Sequence, residues 1–338
     1  MTPMMLSRRR HGALVDCLAN QAEPVALGTR FTLYRPGPCR NGQVAHPHLD
    51  DCVLVHDFAR TEIDNNIGCH VADELLPFLV AAQPLGDADD EPVNEQHLFE
   101  RLVGEVVRSI DGNERRAWRL FYDNTLAALR RAGERDYSAD PASAPLQDFI
   151  SDFAAIYRRV ADLVTAVTPA TILDAATCFG FLPILLATSA WASAADGRSP
   201  PRIVACDLNE ALLSLGADYA RHRRLTRVSF VRADIVAPDL AEALSATTPF
   251  DVVTAIHVFE HLTPEETAAA LGALWSVTAR RLIITVPIEA IPDPRFGHRQ
   301  TFDCARLRAL GERTGAHCRT FEDHGAWLVI DRAGRANH

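Results

Sequence analysis

The C-terminal part of the chain is predicted to be an α/β domain on a doubly wound, mostly parallel sheet with helices on both faces. Three observations predict this. From about residue 147, short apolar runs of strand length alternate with amphipathic runs of helical spacing. The first two of these strands end in carboxylates, Asp174 and Asp207, and Asp234 follows shortly after the third. The turn after the first strand ends in Gly180 and leads into a helix, whose N-terminal amides favour negative charge.

The elements follow in order. Residues 147–167 have the spacing of an amphipathic helix. A strand at 171–175, a helix at 181–189, a strand at 203–206 and a helix at 210–221 come next. They are followed by a strand at 228–231, a short helix near 240–244, a strand at 251–255, a helix at 264–278 and a strand at 282–286. A helix at 304–314 and two closing strands, about 317–321 and 326–330, end the domain. Ligands of such sheets bind outside the carboxyl ends of the strands, where the strand order reverses.

Before this domain, residues 96–132 show helical spacing through Leu98, Leu102, Val106, Trp118, Phe121, Leu126 and Leu129. Residues 29–34 and 52–56 read as short strands. Residues 73–82 read as a helix despite Pro77. The expected organisation is therefore an N-terminal, mainly helical accessory domain (1–134), a polar linker with two prolines (135–146), and a cofactor domain (147–338).

Composition excludes some function classes. The 338 residues carry a formal net charge of -10, and phosphate neutralisation needs a basic face, so no nucleic-acid partner is expected. The basic runs Arg8–Arg10 and Arg221–Arg224 read as solvated surface. No apolar run is long enough to span a bilayer, so no membrane insertion is expected. The eight cysteines are scattered without a CxxC pair, and they read as thiols of a cytoplasmic protein. Oligomeric state is not legible.

The fourth strand of the series carries the most specific signal. It runs Phe250-Asp251-Val252-Val253-Thr254-Ala255-Ile256-His257-Val258-Phe259-Glu260-His261-Leu262. A hydrophobic strand entering a Glu-His-Leu turn, with Asp174, Asp207 and Asp234 ahead of it, resembles the class I S-adenosylmethionine (SAM)-dependent methyltransferases. The resemblance implies a Rossmann-like fold with a seven-stranded, mostly parallel sheet and SAM as cofactor. It implies a cofactor-binding set of Asp174, Ala175, Ala176, Thr177, Gly180, Asp207, Leu208, Asp234, Ile235, Ile256 and His257. Asp207 would accept from the ribose hydroxyls and Asp234 from the adenine amine. One departure stands out: Ala176 and Cys178 occupy turn positions where that family carries glycine.

Methyl transfer to a hydroxyl needs an aligned acceptor and a means of removing its proton. Glu260, His261 and His298 are the candidate catalytic residues. His257, Glu260, His261 and His298 are the candidate metal ligands, by similarity to metal-dependent O-methyltransferases that act on vicinal hydroxyls and carry Glu-x-x-Glu-His at this turn. Mn, Fe or Zn suits histidines plus one carboxylate better than Mg. The competing expectation is that Glu260 and His261 shape the turn and cap the next helix without a metal. The string His257–His261 is also a literal HxxEH. It ends a buried strand, whereas the zinc-peptidase motif needs a long helix, and that function is set aside.

The proline-rich loop 286–298 follows the fifth strand of the series. It places Glu289, Arg295, His298 and Arg299 where polar groups over an acceptor belong. Trp327 reads as core. His46-Pro47-His48-Leu49-Asp50-Asp51 superficially matches a binuclear hydrolase motif but lacks its context and reads as a polar loop.

Three further stretches together resemble the mycofactocin-associated oligosaccharide methyltransferases of actinobacteria. They are Phe99-Glu100-Arg101 with Trp118–Leu126, the loop ending Gly297-His298-Arg299-Gln300-Thr301-Phe302-Asp303, and His324-Gly325-Ala326-Trp327-Leu328. The implied function is O-methylation of a glucose hydroxyl on the oligosaccharide of glycosylated mycofactocin. Two alternatives stay open: a methyltransferase of another small natural product, and a non-catalytic binding or scaffold protein that keeps the SAM fold.

Overall fold

The computed structural model describes residues 4–20, 23–35, 52–81, 94–134, 148–188, 200–244 and 249–332. The expected linker (135–146, RDYSADPASAPL) and the loop at His46–Asp51 lie outside the described residues. The chain divides into two compact units: Met1–Ser151 with Pro294–Phe296, and Asp152–Asp293 with Gly297–His338.

In the first unit, β1 (Met4–Ser7), α1 (Gly12–Ala19), β2 (Glu23–Leu27), β3 (Phe31–Arg35) and β4 (Val53–His56) come first. The four strands form one sheet in the order β1-β4-β3-β2, with β1 parallel to β4 and the other pairs antiparallel. Then follow α2 (Ile67–His70), a π turn (Val71–Leu75), α3 (Leu76–Ala81), α4 (Glu95–Ser109) and α5 (Glu114–Gly133). The unit is mainly helical, as expected, but its four-stranded sheet was foreseen only as two strands. The single helical stretch expected over 96–132 is two helices. It breaks at Asp111-Gly112-Asn113, where Asn113 caps α5 by accepting from the Arg116 amide. The π turn precedes Pro77 and leads the chain into α3. Within this unit Arg295 pairs with Asp73 at 3.0 Å, and the Phe296 ring lies edge-on to Phe99 and Phe149.

The second unit alternates as its sequence predicts. It contains most of α6 (Phe149–Thr165), then β5 (Thr171–Ala175), α7 (Phe181–Thr188), β6 (Arg202–Asp207), α8 (Glu210–His222) and β7 (Val228–Arg232). Next come α9 (Leu240–Ala243), β8 (Phe250–Ile256), α10 (Pro264–Ser276), β9 (Thr278–Val286), α11 (Cys304–Glu312), β10 (His317–Glu322) and β11 (Ala326–Asp331). The sheet order is β10-β11-β9-β8-β5-β6-β7, parallel from β9 to β7 and antiparallel at β11 and β10. It is the Rossmann-like, seven-stranded sheet expected of this domain.

Both faces of the sheet are covered, so its central strands read as continuous apolar runs. Leu173, Val253, Leu282 and Ile284 pack on one side, and Ile172, Ile203, Val252 and Ile283 on the other. Trp327 is fully buried against Phe321 and is core, as expected. The strand order reverses between β5 and β8, and their carboxyl ends frame the crevice where such sheets bind ligands.

Candidate active site

The turn after β5 is held from several sides. The Thr177 amide donates to the Cys206 carbonyl at 2.9 Å, and the Gly180 amide donates to the Thr177 carbonyl at 2.8 Å. Gly180 has φ +73°, and a Cβ there would lie 2.6 Å from the Phe230 ring, so both backbone and space require glycine. Ala176 (φ +55°) and Cys178 (φ +52°) also take the left-handed conformation. The backbone path expected of glycines is thus kept by residues with a Cβ, at a cost of roughly 1 kcal/mol or more each.

The acids line up along the strand ends. Asp174 is buried and accepts from Thr254 Oγ1 at 2.7 Å and from the Thr177 hydroxyl. Burial raises its pKa to about 6 against these two hydrogen bonds, with Asp207 adding to the rise. Asp207 accepts from the amides of Cys178 and Asn209, each at 2.8 Å, so the strand-end acid grips the turn. Leu208 beside it is 57% exposed, an apolar face next to the acid. Asp234 accepts from the Val236 amide at 2.8 Å. Ala175 and Ile235 are buried in the core beneath the crevice.

Sequence reasoning missed two residues of α6. The rings of Phe153 and Tyr157, an i, i+4 pair, lie 5.5 Å apart, and Phe153 lies 5.4 Å from the His257 ring. Burial and the nearby Asp174 and Cys178 hold the Tyr157 hydroxyl well above its usual pKa. This places α6 over the ends of β5 and β8. The spacing of two aromatics just before the first strand was the available signal.

The end of β8 gathers the other polar groups. His257 has φ +52° and donates its amide to the Thr285 carbonyl at 2.9 Å. Residues Phe259–His261 form one 3₁₀ turn, not the start of an α-helix, so the three side chains do not share an α-helical face. Glu260 is 1% exposed, and neither carboxylate oxygen has a hydrogen-bond partner; His257 Nε2 is likewise buried without one. Burial pushes Glu260 up to about 8, with Glu289 adding to the rise. It pushes His257 down to about 3 and His261 down to about 4, in both cases with help from neighbouring histidines.

The helix that follows does not need Glu260. Thr263 and Glu266 cap α10 as a reciprocal box, the Thr263 side chain accepting from the Glu266 amide and Glu266 accepting from the Thr263 amide. Glu260 is thus not the cap of α10.

His298 reaches the same place from the loop after β9. The amides of Arg299 and Gln300 both donate to the Glu260 carbonyl, at 2.7 and 3.3 Å. The Gln300 side chain donates to the carbonyls of Phe259 and Leu262 and to Thr267 Oγ1. The His261 and His298 rings lie edge to face, 5.0 Å apart. Glu260, His261 and His298 each offer one ligand atom, and these atoms lie within 4.8 Å of one another. His257 stands outside this group, with Nδ1 3.8 Å from Glu260 Oε1. Two imidazoles, facing a carboxylate whose buried oxygens lack partners, form a donor set that fits a divalent cation.

Residues 172–281 match a family model described as a methyltransferase domain, Methyltransf_25. The chain carries a methyltransferase domain. By that match, residues 172–281 are of the SAM-dependent methyltransferase kind. The match spans the methyltransferase crevice from β5 through the Glu260–His261 turn and stops short of His298. No curated protein matches the chain.

Among solved structures, the methyltransferase domain of a bacterial Hen1 (CtHen1) is 16% identical, with a TM-score of 0.43 over 54% of this chain and 100% of that one. Magnesium protoporphyrin IX methyltransferase from Synechocystis PCC 6803, with bound SAH, is 16% identical, with a TM-score of 0.41 over 65% and 100%. A putative O-methyltransferase from Nostoc punctiforme PCC 73102 is 16% identical, with a TM-score of 0.40 over 62% and 68%. Likenesses this distant say nothing about acceptor or metal.

Proposed function

We propose that this methyltransferase is an O-methyltransferase acting on a sugar hydroxyl, with a divalent metal held by Glu260, His261 and His298. The observation that carries the reading is the Glu260 carboxylate, 1% exposed and without a hydrogen-bond partner, facing two imidazoles. An isolated buried carboxylate is costly, and a cation is the partner that relieves it. A metal bound there would supply a Lewis acid that lowers the pKa of an alcohol.

The chain's own residues do the rest. Asp207 accepts from the ribose hydroxyls of SAM, Asp234 from the adenine amine, and Leu208 packs against the base. Phe153 and Tyr157 shield the reacting methyl from water. Ile288 and Ile291, 55% and 77% exposed on the loop that carries His298, offer apolar contact to the acceptor. A pair of adjacent hydroxyls suits a metal-assisted site, and the sequence resemblance to the mycofactocin-associated enzymes makes an oligoglucoside the first acceptor to test. Residues 1–134 are proposed to act as an accessory domain to the catalytic one.

The test has two stages. Calorimetry with SAM should show one site per chain; absence of binding by folded protein overturns the enzyme reading in favour of a scaffold. Methyl transfer to oligoglucosides should then require Mn(II), Fe(II) or Zn(II) and fail on 2-deoxy analogues. Full activity in excess chelator overturns the metal assignment.

A further inference from the structure

The loop after β9 brings His298 beside the Glu260–His261 turn. The contact of His298 Nδ1 with Glu289 Oε2, at 2.8 Å, stays within that loop. Gln300, two residues on and 7% exposed, reaches the turn itself. Its main-chain amide donates to the Glu260 carbonyl at 3.3 Å. Its side-chain Nε2 donates to the Phe259 carbonyl at 3.1 Å and to the Leu262 carbonyl at 2.7 Å. One residue therefore holds the carbonyl before the Glu260–His261 pair, the one after it, and that of Glu260.

The Gln300 amide has a single orientation. Nε2 also donates, at 2.7 Å, to Thr267 Oγ1 on α10, whose own hydrogen goes to the Thr263 carbonyl. On the other side the Arg306 guanidinium of α11 donates to Gln300 Oε1 and to the Thr301 carbonyl, and it lies 4.5 Å from the centre of the Phe302 ring. Turning the amide over would set Oε1 against two carbonyls and Nε2 against a cation.

The turn has little else to hold it. Its own backbone bonds run from the His261 amide to the Val258 carbonyl at 3.1 Å and from the Leu262 amide to the Phe259 carbonyl at 3.2 Å, and 3₁₀ bonds have poor geometry. The geometry points to Gln300 as the positioning residue of the metal centre: through the Phe259 and Leu262 carbonyls it sets the turn that carries Glu260 and His261. This rests on the metal reading above. It goes beyond that reading by assigning a fourth, non-ligating residue that acts through main-chain atoms.

Titration of Co(II) into the full-length, chelator-stripped protein tests this, because visible absorption of Co(II) reports affinity and ligand geometry together. SAM binding is measured in parallel by calorimetry. Wild type should bind one Co(II). Gln300→Met keeps the length of the side chain without its polar atoms. It should bind Co(II) about 10–100-fold more weakly, the usual effect of removing a group behind the ligands, and its spectrum at saturating Co(II) should differ from wild type. Gln300→Glu keeps the shape but sets an oxygen against the two carbonyls, and should lose at least as much. SAM affinity should be unchanged in both. A merely structural role would lower Tm and leave the saturated spectrum as in wild type. That result, or wild-type Co(II) affinity in both variants, overturns the positioning role while leaving the metal site standing. If neither Gln300 variant folds well enough to bind SAM, Arg306→Met decides: it removes an exposed side chain that orients the amide, and a saturated spectrum identical to wild type overturns the role. No Co(II) binding by wild type that still binds SAM overturns the metal reading itself.

Discussion

Glu260→Gln tests the site in its metal-free state through stability alone. Burial holds the folded Glu260 carboxyl at about 8 against an ordinary value of 4.5. A raised acid favours the protonated form, so its ionisation costs nothing below about pH 4.5. The cost grows as pH rises and is complete above about pH 8. At 1.36 kcal/mol per pH unit, the ionised carboxyl destabilises the apo fold by about 1 kcal/mol at pH 5 and about 4 kcal/mol at pH 7.5. Glutamine has nearly the same shape and does not titrate.

The variant should therefore gain about 3 kcal/mol on wild type between those two pH values, whatever its constant offset. For a domain of this size that is about 6–12 °C in Tm. The assay is thermal unfolding of both proteins in excess chelator at pH 5 and 7.5, followed by fluorescence. A Tm difference that stays flat with pH would refute the reasoning, because a carboxylate with a partner the structure does not show would not carry this cost. Adding Mn(II) should reverse the order, since only wild type offers the charged ligand.

Mn(II) affinity of wild type should rise about tenfold per pH unit from pH 5.5 to 7.5 and level off above 8, because Glu260 must lose its proton to ligate; titration calorimetry across that range reads the slope. Cys178→Gly should raise stability by about 0.5–1 kcal/mol, the left-handed strain at φ +52° outweighing glycine's extra unfolded-state entropy, measurable by urea unfolding. Asp207→Ala removes both the proposed ribose acceptor and the grip on the Cys178 and Asn209 amides, and should weaken SAM binding about 10–100-fold by calorimetry.

The second unit was readable because its strands are buried on both sides and its helices announce their starts. Asn209, Thr263 and Asp303 each cap the helix that follows. The first unit was harder. Met4–Ser7 is four residues long, and Glu23–Leu27 carries Pro24, so neither has the alternation that marks a strand; pairing with β4 and β3 makes them strands. At the site, residue types were legible and backbone state was not. Nothing in the letters says that Ala176 and Cys178 follow a glycine's path, or that a 3₁₀ turn sets His257 apart from Glu260 and His261. Glu289 was read as one of several polar loop groups; its bond to His298 depends on a loop closure that spacing alone does not encode.

The two amides that converge on the Glu260 carbonyl have a kinetic meaning. They join the loop after β9 to the turn after β8 through main-chain atoms. The metal proposed above would meet a donor set whose backbones are already joined, unlike small zinc modules whose ligands meet only on loading. Loading should then be a simple bimolecular capture, first order in metal and without a slow refolding phase. Exchange between competing cations would follow their supply and off-rates, with the polypeptide as a fixed socket.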